Sequence, residues 1–216
     1  MRVIQRPPLR TPVPHKLRLS QRPGKGTNRS VDAAKLVQRA SEGDQAAWNA
    51  IVDQFNGLLW SVVRAHRLSP SDGAEVIQTA WLRLVENLDR IREPERVGAW
   101  LATTTRHECL RFIRRNAREV ATSDVDAAGL SNDAPMEGLL SEERDIALWK
   151  AFASLGERCQ KLLRILMADV PPSYVEVSAA LGMPIGAIGP TRQRCLERLR
   201  HDPVLEAFRL DHTGAP

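Results

Sequence analysis

The residues best placed to do chemistry in this sequence are arginines and a glutamine rather than acids, histidines or thiols. Residues 185–200 read Ile185-Gly-Ala-Ile-Gly-Pro-Thr-Arg-Gln-Arg-Cys-Leu-Glu-Arg-Leu-Arg200. If Ile188, Cys195 and Leu199 form the buried line of a helix, Thr191, Gln193, Arg194 and Arg198 are left to face outward. Glutamine and arginine can pair bidentately with adenine and guanine edges, and further arginines grip phosphates. Just upstream, Pro171-Pro172-Ser173 offers a sharp helix start with Ser173 as N-cap, and Gly182 a left-handed stop. Val177, Ala180 and Leu181 would face the core between them. Helix, glycine turn and arginine-rich helix make the form of a helix-turn-helix, whose second helix can enter a major groove. A hairpin that merely caps a bundle would carry the same apolar residues, but it gives no reason for the arginine cluster.

A second basic stripe lies far from the first. Thr104, His107, Arg111, Arg115 and Arg118 fall at helical spacing, with Arg114 beside them and Trp100 at the start. Aromatic and basic side chains together hold unpaired bases by stacking and charge. Trp100 is equally suited to core packing, and the arginines to a solvated helix end. Asp72, Glu75 and His107 form no recognisable acid–base or metal constellation, so no enzyme activity is expected. Gly24-Lys25-Gly26-Thr27 lacks the spacing of a phosphate loop, and no Cys-x-x-Cys or His-Glu-x-x-His run occurs. No metal or cofactor is therefore expected. Cys109, Cys159 and Cys195 read as buried thiols of a protein in a reducing cytoplasm, not as a disulfide framework.

The elements that must position these residues are all helical. Trp48, Ile51, Val52, Phe55, Leu58, Leu59, Val62 and Val63 recur at three- and four-residue steps. After a break at residues 69–72, Asp72 and Glu75 suggest a capping box for a helix carrying Val76, Ile77, Ala80, Trp81, Leu84, Val85 and Leu88. Pro94 interrupts a charged loop, and a third helix is expected from about Val97 to Arg118, with Leu101, Thr105, Cys109, Phe112 and Ile113 on its apolar side. The expected fold class is all-α. Two small helical domains, 31–118 and 144–202, are joined by a flexible linker at 119–143 that is acidic and free of Lys and Arg. Residues 203–216 form a tail.

Charge is unevenly spread. The net charge is +5, yet residues 1–30 hold eight Lys/Arg and no Asp or Glu, leaving the rest at −3. That proline-rich basic arm is expected to be disordered. A nucleic-acid surface on the remaining chain must then be a local patch. No apolar run approaches the ~20 residues needed to span a bilayer, and no apolar segment follows the basic start as a secretory signal would require. A cytoplasmic protein without membrane insertion is expected.

Three segments, taken in order, resemble one family. Asp72-Gly-Ala-Glu-Val-Ile-Gln-Thr-Ala-Trp-Leu-Arg-Leu84 is similar to the region 2.2 helix of bacterial sigma factors. Val97-Gly-Ala-Trp-Leu-Ala-Thr-Thr-Thr-Arg-His-Glu-Cys-Leu-Arg-Phe-Ile-Arg-Arg115 resembles regions 2.3 and 2.4, and residues 155–200 resemble region 4. Two regions with a short linker point to the extracytoplasmic-function class. The resemblance implies core RNA polymerase as partner, through its β′ clamp helices and β flap, with Asp72, Glu75, Gln78, Thr79 and Arg83 on the clamp side. It implies that promoter DNA meets the chain twice. Arg92, Arg96, Trp100, His107, Arg111, Arg114 and Asn116 would hold the melted minus-ten element; Thr191, Gln193, Arg194 and Arg198 would meet the minus-thirty-five duplex. An anti-sigma factor is a further candidate partner. Gly189 and Pro190 stand where many members have a basic residue and serine, with Pro190 suited to a first helical turn. The alternative is a stand-alone helix-turn-helix regulator whose residues 31–118 dimerise or sense; it predicts tight operator binding without polymerase.

Overall fold

A computed structural model of the chain describes residues 27–122 and 143–207. Among them are eight α-helices: α1 Thr27–Ser41, α2 Gln45–Ala65, α3 Pro70–Asn87, α4 Val97–Thr122, α5 Glu143–Ser154, α6 Glu157–Leu166, α7 Tyr174–Leu181 and α8 Ile185–Arg200. Two short 3-10 turns, Leu88–Arg90 and Pro94–Arg96, fill the charged stretch between α3 and α4. No strand occurs among the described residues. Order begins at Thr27, inside the arm expected to lack it, and α4 runs four residues past its expected end. The remainder of the arm, residues 123–142 of the expected linker and the end of the tail lie outside the described residues.

Local chemistry accounts for the helix boundaries. Asp44 caps α2, its carboxylate accepting from the amides of Ala46 and Ala47 at 2.9 and 3.1 Å. The α3 cap is Ser69, whose hydroxyl accepts from the Asp72 amide at 3.2 Å, with Pro70 in the first turn. This corrects the capping box expected at Asp72 and Glu75: the cap and the helix start lie three residues earlier, and Asp72 is the capped position. At α7 the box is complete. Ser173 Oγ accepts from the Glu176 amide at 3.3 Å, and the Ser173 amide donates to Glu176 Oε2 at 2.6 Å. Gly182 ends that helix at φ 63°, a conformation that suits glycine.

Pro190 lies inside α8 rather than in its first turn, because the helix starts at Ile185. The ring removes the amide that would have bonded the Gly186 carbonyl, and exposed Gly186 can leave that oxygen to water.

The halves expected as two separate lobes share one core. Phe55, Leu59, Leu84 and Leu101 from the first half join Leu162, Ile165, Val177 and Ile188 from the second in one cluster. Helix α7 lies along α4, and α6 along α2. Gly98 marks the closest approach: a Cβ there would collide with the Glu176 carboxylate and stand 2.6 Å from the Phe55 ring. Arg67, in a left-handed turn after α2, donates to Gln160 Oε1 of α6 at 2.6 Å. A second, smaller cluster of Phe152, Leu155, Cys159, Leu163 and Cys195 lies on the far side of α6. There Cys159 and Cys195 are joined as a disulfide, which corrects their reading as free thiols. The spacing of 36 residues held no signal for the pairing; the packing of α6 on α8 creates it.

Candidate nucleic-acid interfaces

Three surfaces carry the residues singled out in the sequence. The first is a cavity of about 610 Å3 between the two 3-10 turns and the start of α4. The turns supply Arg90, Arg92 and Arg96, and α4 supplies Trp100, Thr103, Thr104 and His107. Pro94 interrupts the chain here, and arginines before α4 share one cavity with the indole on it. Trp100 is half-buried: it packs on the core and still lines the cavity. Arg96 is steered by Glu93, at 2.8 Å. Asn87, which the sequence reading missed, lines the wall and is held by its amide donating to the Arg83 carbonyl at 2.8 Å. Its signal was weak, one polar residue at the end of an amphipathic helix. The cavity offers an aromatic face, positive charge and hydroxyl or amide partners, the set that suits a splayed base and its phosphates.

The second surface continues along α4. Arg111, Arg114, Arg115 and Arg118 line one basic basin. Arg115 lies over the Phe112 ring and pairs with Glu75 at 3.2 Å. Glu108, nearly buried, meets Arg83 Nε at 2.9 Å, an ion pair short of hydrogen-bond alignment, and Arg111 at 3.6 Å. Asn116, expected with these residues, is half-buried and lines neither cavity nor basin.

The third surface is the outer face of α8. Gln193, Arg194 and Arg198 are exposed; Gln193 donates to Glu197 at 3.1 Å and Arg194 to the Pro190 carbonyl at 3.3 Å. Thr191 is a correction. It is 7% exposed and faces the interior with Ile188 and Cys195, so it is not free to meet a duplex. The buried line of α8 runs 188–191–195, and Thr191 belongs to it.

On α3 the expected partner-facing residues divide. Glu75 and Gln78 are exposed, Asp72 and Thr79 half-buried, and Arg83 turns toward Glu108 of α4. Leu82 and Val85 are more than half exposed, although Val85 was expected in the core. An apolar pair rimmed by Gln78 and Glu86 is the composition of a protein-docking face. Among the described residues no cluster suits a metal ion, and no helix is long and apolar enough to cross a membrane. The Cys109 thiol is buried under α4, and burial pushes its pKa up to about 12.

An interrupted loop over an aromatic, basic helix and a helix-turn-helix are the features on which the sequence resembles the sigma-70 factors. The family profile for sigma-70 region 2 matches residues 51–119, which span α2, α3 and the body of α4. The ECF RNA polymerase sigma-E factors of Escherichia coli K12 and of Salmonella typhimurium LT2 are each 27% identical over 164 residues, 71% of this chain and 84% of theirs. RNA polymerase sigma factor NccH of Alcaligenes xylosoxydans xylosoxydans is 26% identical over 173 residues, 75% of this chain and 89% of its own. The fold is shared with CnrH, solved in complex with the cytosolic domain of CnrY, at a TM-score of 0.51 and 20% identity over 78% of this chain and 94% of that one. Over most of its length the chain is similar to RNA polymerase sigma factors of the extracytoplasmic-function class.

Proposed function

We propose that this chain is a sigma factor that brings core RNA polymerase to promoters by dividing the work among the three surfaces. The Trp100 cavity takes a base of the opened minus-ten strand, with Arg92 and Arg96 on its phosphates and Thr103, Thr104 and His107 at its edge. The basin of Arg111 and Arg114 grips the backbone just upstream. Gln193 and Arg194 read the minus-thirty-five duplex, with Arg198 on a phosphate. Gln78, Leu82 and Val85 of α3 dock on the β′ clamp helices. The protein supplies recognition and strand capture without a reaction of its own, and works in the cytoplasm beside its polymerase. The CnrH complex, in which a fold of this kind is held by a second protein, supports an anti-sigma factor as a further partner.

The observation that carries this reading is the continuity of cavity and basin along one side of α4. A strand leaving the duplex over the arginines would arrive at Trp100. The fused core adds a condition. Two elements named for positions about 25 base pairs apart lie roughly 85 Å apart along B-form DNA. A compact chain of this length has a radius of gyration of about 17 Å. The halves must therefore part along the α4–α7 and α2–α6 contacts before both elements are held, and polymerase, by binding each half, supplies the separation. The stand-alone regulator is not favoured, because sigma-factor relatives align across most of the chain.

The test is reconstitution with core polymerase on a pool of genomic fragments. Wild type should initiate at defined promoters, and Trp100→Ala should bind them without exposing reactive thymines. Arg194→Ala should lose upstream-element selection by about 1–3 kcal/mol. Full strand opening by Trp100→Ala would remove the cavity from the mechanism.

A further inference from the structure

We propose that Cys159 and Cys195 form a reversible redox site that sets whether α8 reads duplex DNA, an inference that rests on the assignment of α8 as the upstream-element reader. Helix α6 has two faces. Leu162 and Ile165 anchor one face in the shared core, while Cys159 and Leu163 form the other with α8. Near its start α8 is tied to the same core by Ile188. Beyond that point it rests on the small cluster, through Cys195, Leu196 and Leu199, and on a Ser154–Asp202 hydrogen bond of 2.6 Å just past its end. The base-reading residues Gln193 and Arg194 sit on this second stretch, next to the bonded Cys195. The disulfide thus joins the reading half of the helix to an element anchored in the shared core.

Breaking the bond changes more than stability. Cys195 is fully buried and Cys159 nearly so, which leaves no solvent side into which either could swing. Reduction removes the cross-link between α6 and the reading stretch of α8, and α8 then shifts on α6. Bidentate base contacts tolerate little displacement, so the loss falls on upstream reading. The minus-ten surfaces stand on the other side of α6 and are spared.

The chemistry is available to these two residues. Cys159, in the first turn of α6, is the less buried of the two and is the one whose thiolate meets an oxidant first. The thiolate attacks hydrogen peroxide, releasing one water equivalent and leaving a sulfenic acid. The Cys195 thiol then displaces the hydroxyl as a second water. Two protons and two electrons pass from the thiols to the peroxide, which balances the step. A small dithiol reverses it by exchange, ending as its own disulfide. Cys109, buried and held protonated, takes no part.

The full chain is treated with hydrogen peroxide or with dithiothreitol, desalted, and added to core polymerase. Transcripts are counted from a promoter recovered from the genomic pool and from the same promoter with its upstream block scrambled. The oxidised protein should prefer the intact promoter by about tenfold, and the reduced protein by less than about twofold. Cys159→Ala/Cys195→Ala should behave as reduced after either treatment, and Cys109→Ala as wild type. Alkylation after unfolding should label Cys109 alone in the oxidised sample. Equal preference in both redox forms, or labelling of all three cysteines after peroxide, overturns the proposal. The wild-type comparison decides even if the double variant does not fold. Failure of both forms to initiate anywhere overturns the promoter assignment, and this proposal with it.

Discussion

The first half of the molecule and the last helix hold their DNA-facing residues by different means. Helix α4 is embedded. Val97, Leu101, Ala102 and Cys109 are fully buried along it, and the second half of the chain covers its flank. Its arginines project from a helix that cannot easily move. The reading stretch of α8 rests instead on a small cluster of five buried side chains, two of them the joined cysteines. A surface that must capture a strand as it unwinds gains from a rigid platform. A surface that must swing far from its partner, and then find one register in a groove, is built on the smaller margin.

The comparison breaks most plainly at Phe55, which is 2% exposed and lies where α2, α4 and α7 meet. Phe55→Ala should cost about 3–5 kcal/mol and unfold α7 together with α2, because one cluster serves both. Phe152→Ala, at the edge of the small cluster, should cost less and spare α2 and α4. Hydrogen exchange read helix by helix separates the two cases. Equal losses confined to each half would show that the shared core does not couple them.

Acid should loosen the same junction. His66 closes α2 with its Nε2 buried and without a hydrogen-bond partner among the described residues. Burial first, then the positive charges of Lys161 and Arg106, hold its pKa down at about 4, with Glu157 opposing. The folded state therefore keeps a neutral ring while the unfolded chain binds a proton below pH 6.5. This stability is fully present above pH 6.5 and drains as pH falls toward 4, amounting to about 2 kcal/mol at pH 5. Urea midpoints at pH 7 and pH 5 should show the loss in wild type and much less of it in His66→Asn.

Ser173→Ala should act on the covering helix alone. Removing the hydroxyl that caps α7 should cost about 1 kcal/mol. It also loosens Glu176, which lies against Gly98. Exchange of α7 amides should rise while α4 keeps its protection.

How much of this was legible in the sequence follows from what each feature depends on. Helix periodicity, the Ser173 cap and the Gly182 stop are local, and α7 follows them. Trp100 with its arginines was legible because aromatic and basic types cluster in sequence as well as in space. Thr191 was misplaced because a polar β-branched residue gives no sign that its helix will turn it inward; the outer face begins at Gln193. Val85 was misplaced for the opposite reason, since periodicity cannot tell a core residue from an apolar docking face. The shared core and the Cys159–Cys195 bond were illegible, because both arise where segments distant in the chain pack together.

The smallest expected effect tests the rigid platform itself. Arg111 is well exposed, and the carboxylate it meets, Glu108 at 3.6 Å, keeps the closer Arg83 at 2.9 Å when Arg111 is removed. Arg111→Ala therefore strands no carboxylate, and the urea midpoint should not move measurably. If the basin grips phosphate, binding to promoter DNA should weaken about equally for every sequence, and the slope of log affinity against log salt should fall by about 0.9. Arg194→Ala should do the reverse, changing sequence preference by more than it changes the salt slope. A change in sequence preference with Arg111→Ala would mean that α4 reads bases directly in the duplex, and the division between a gripping helix and a reading helix would have to be redrawn.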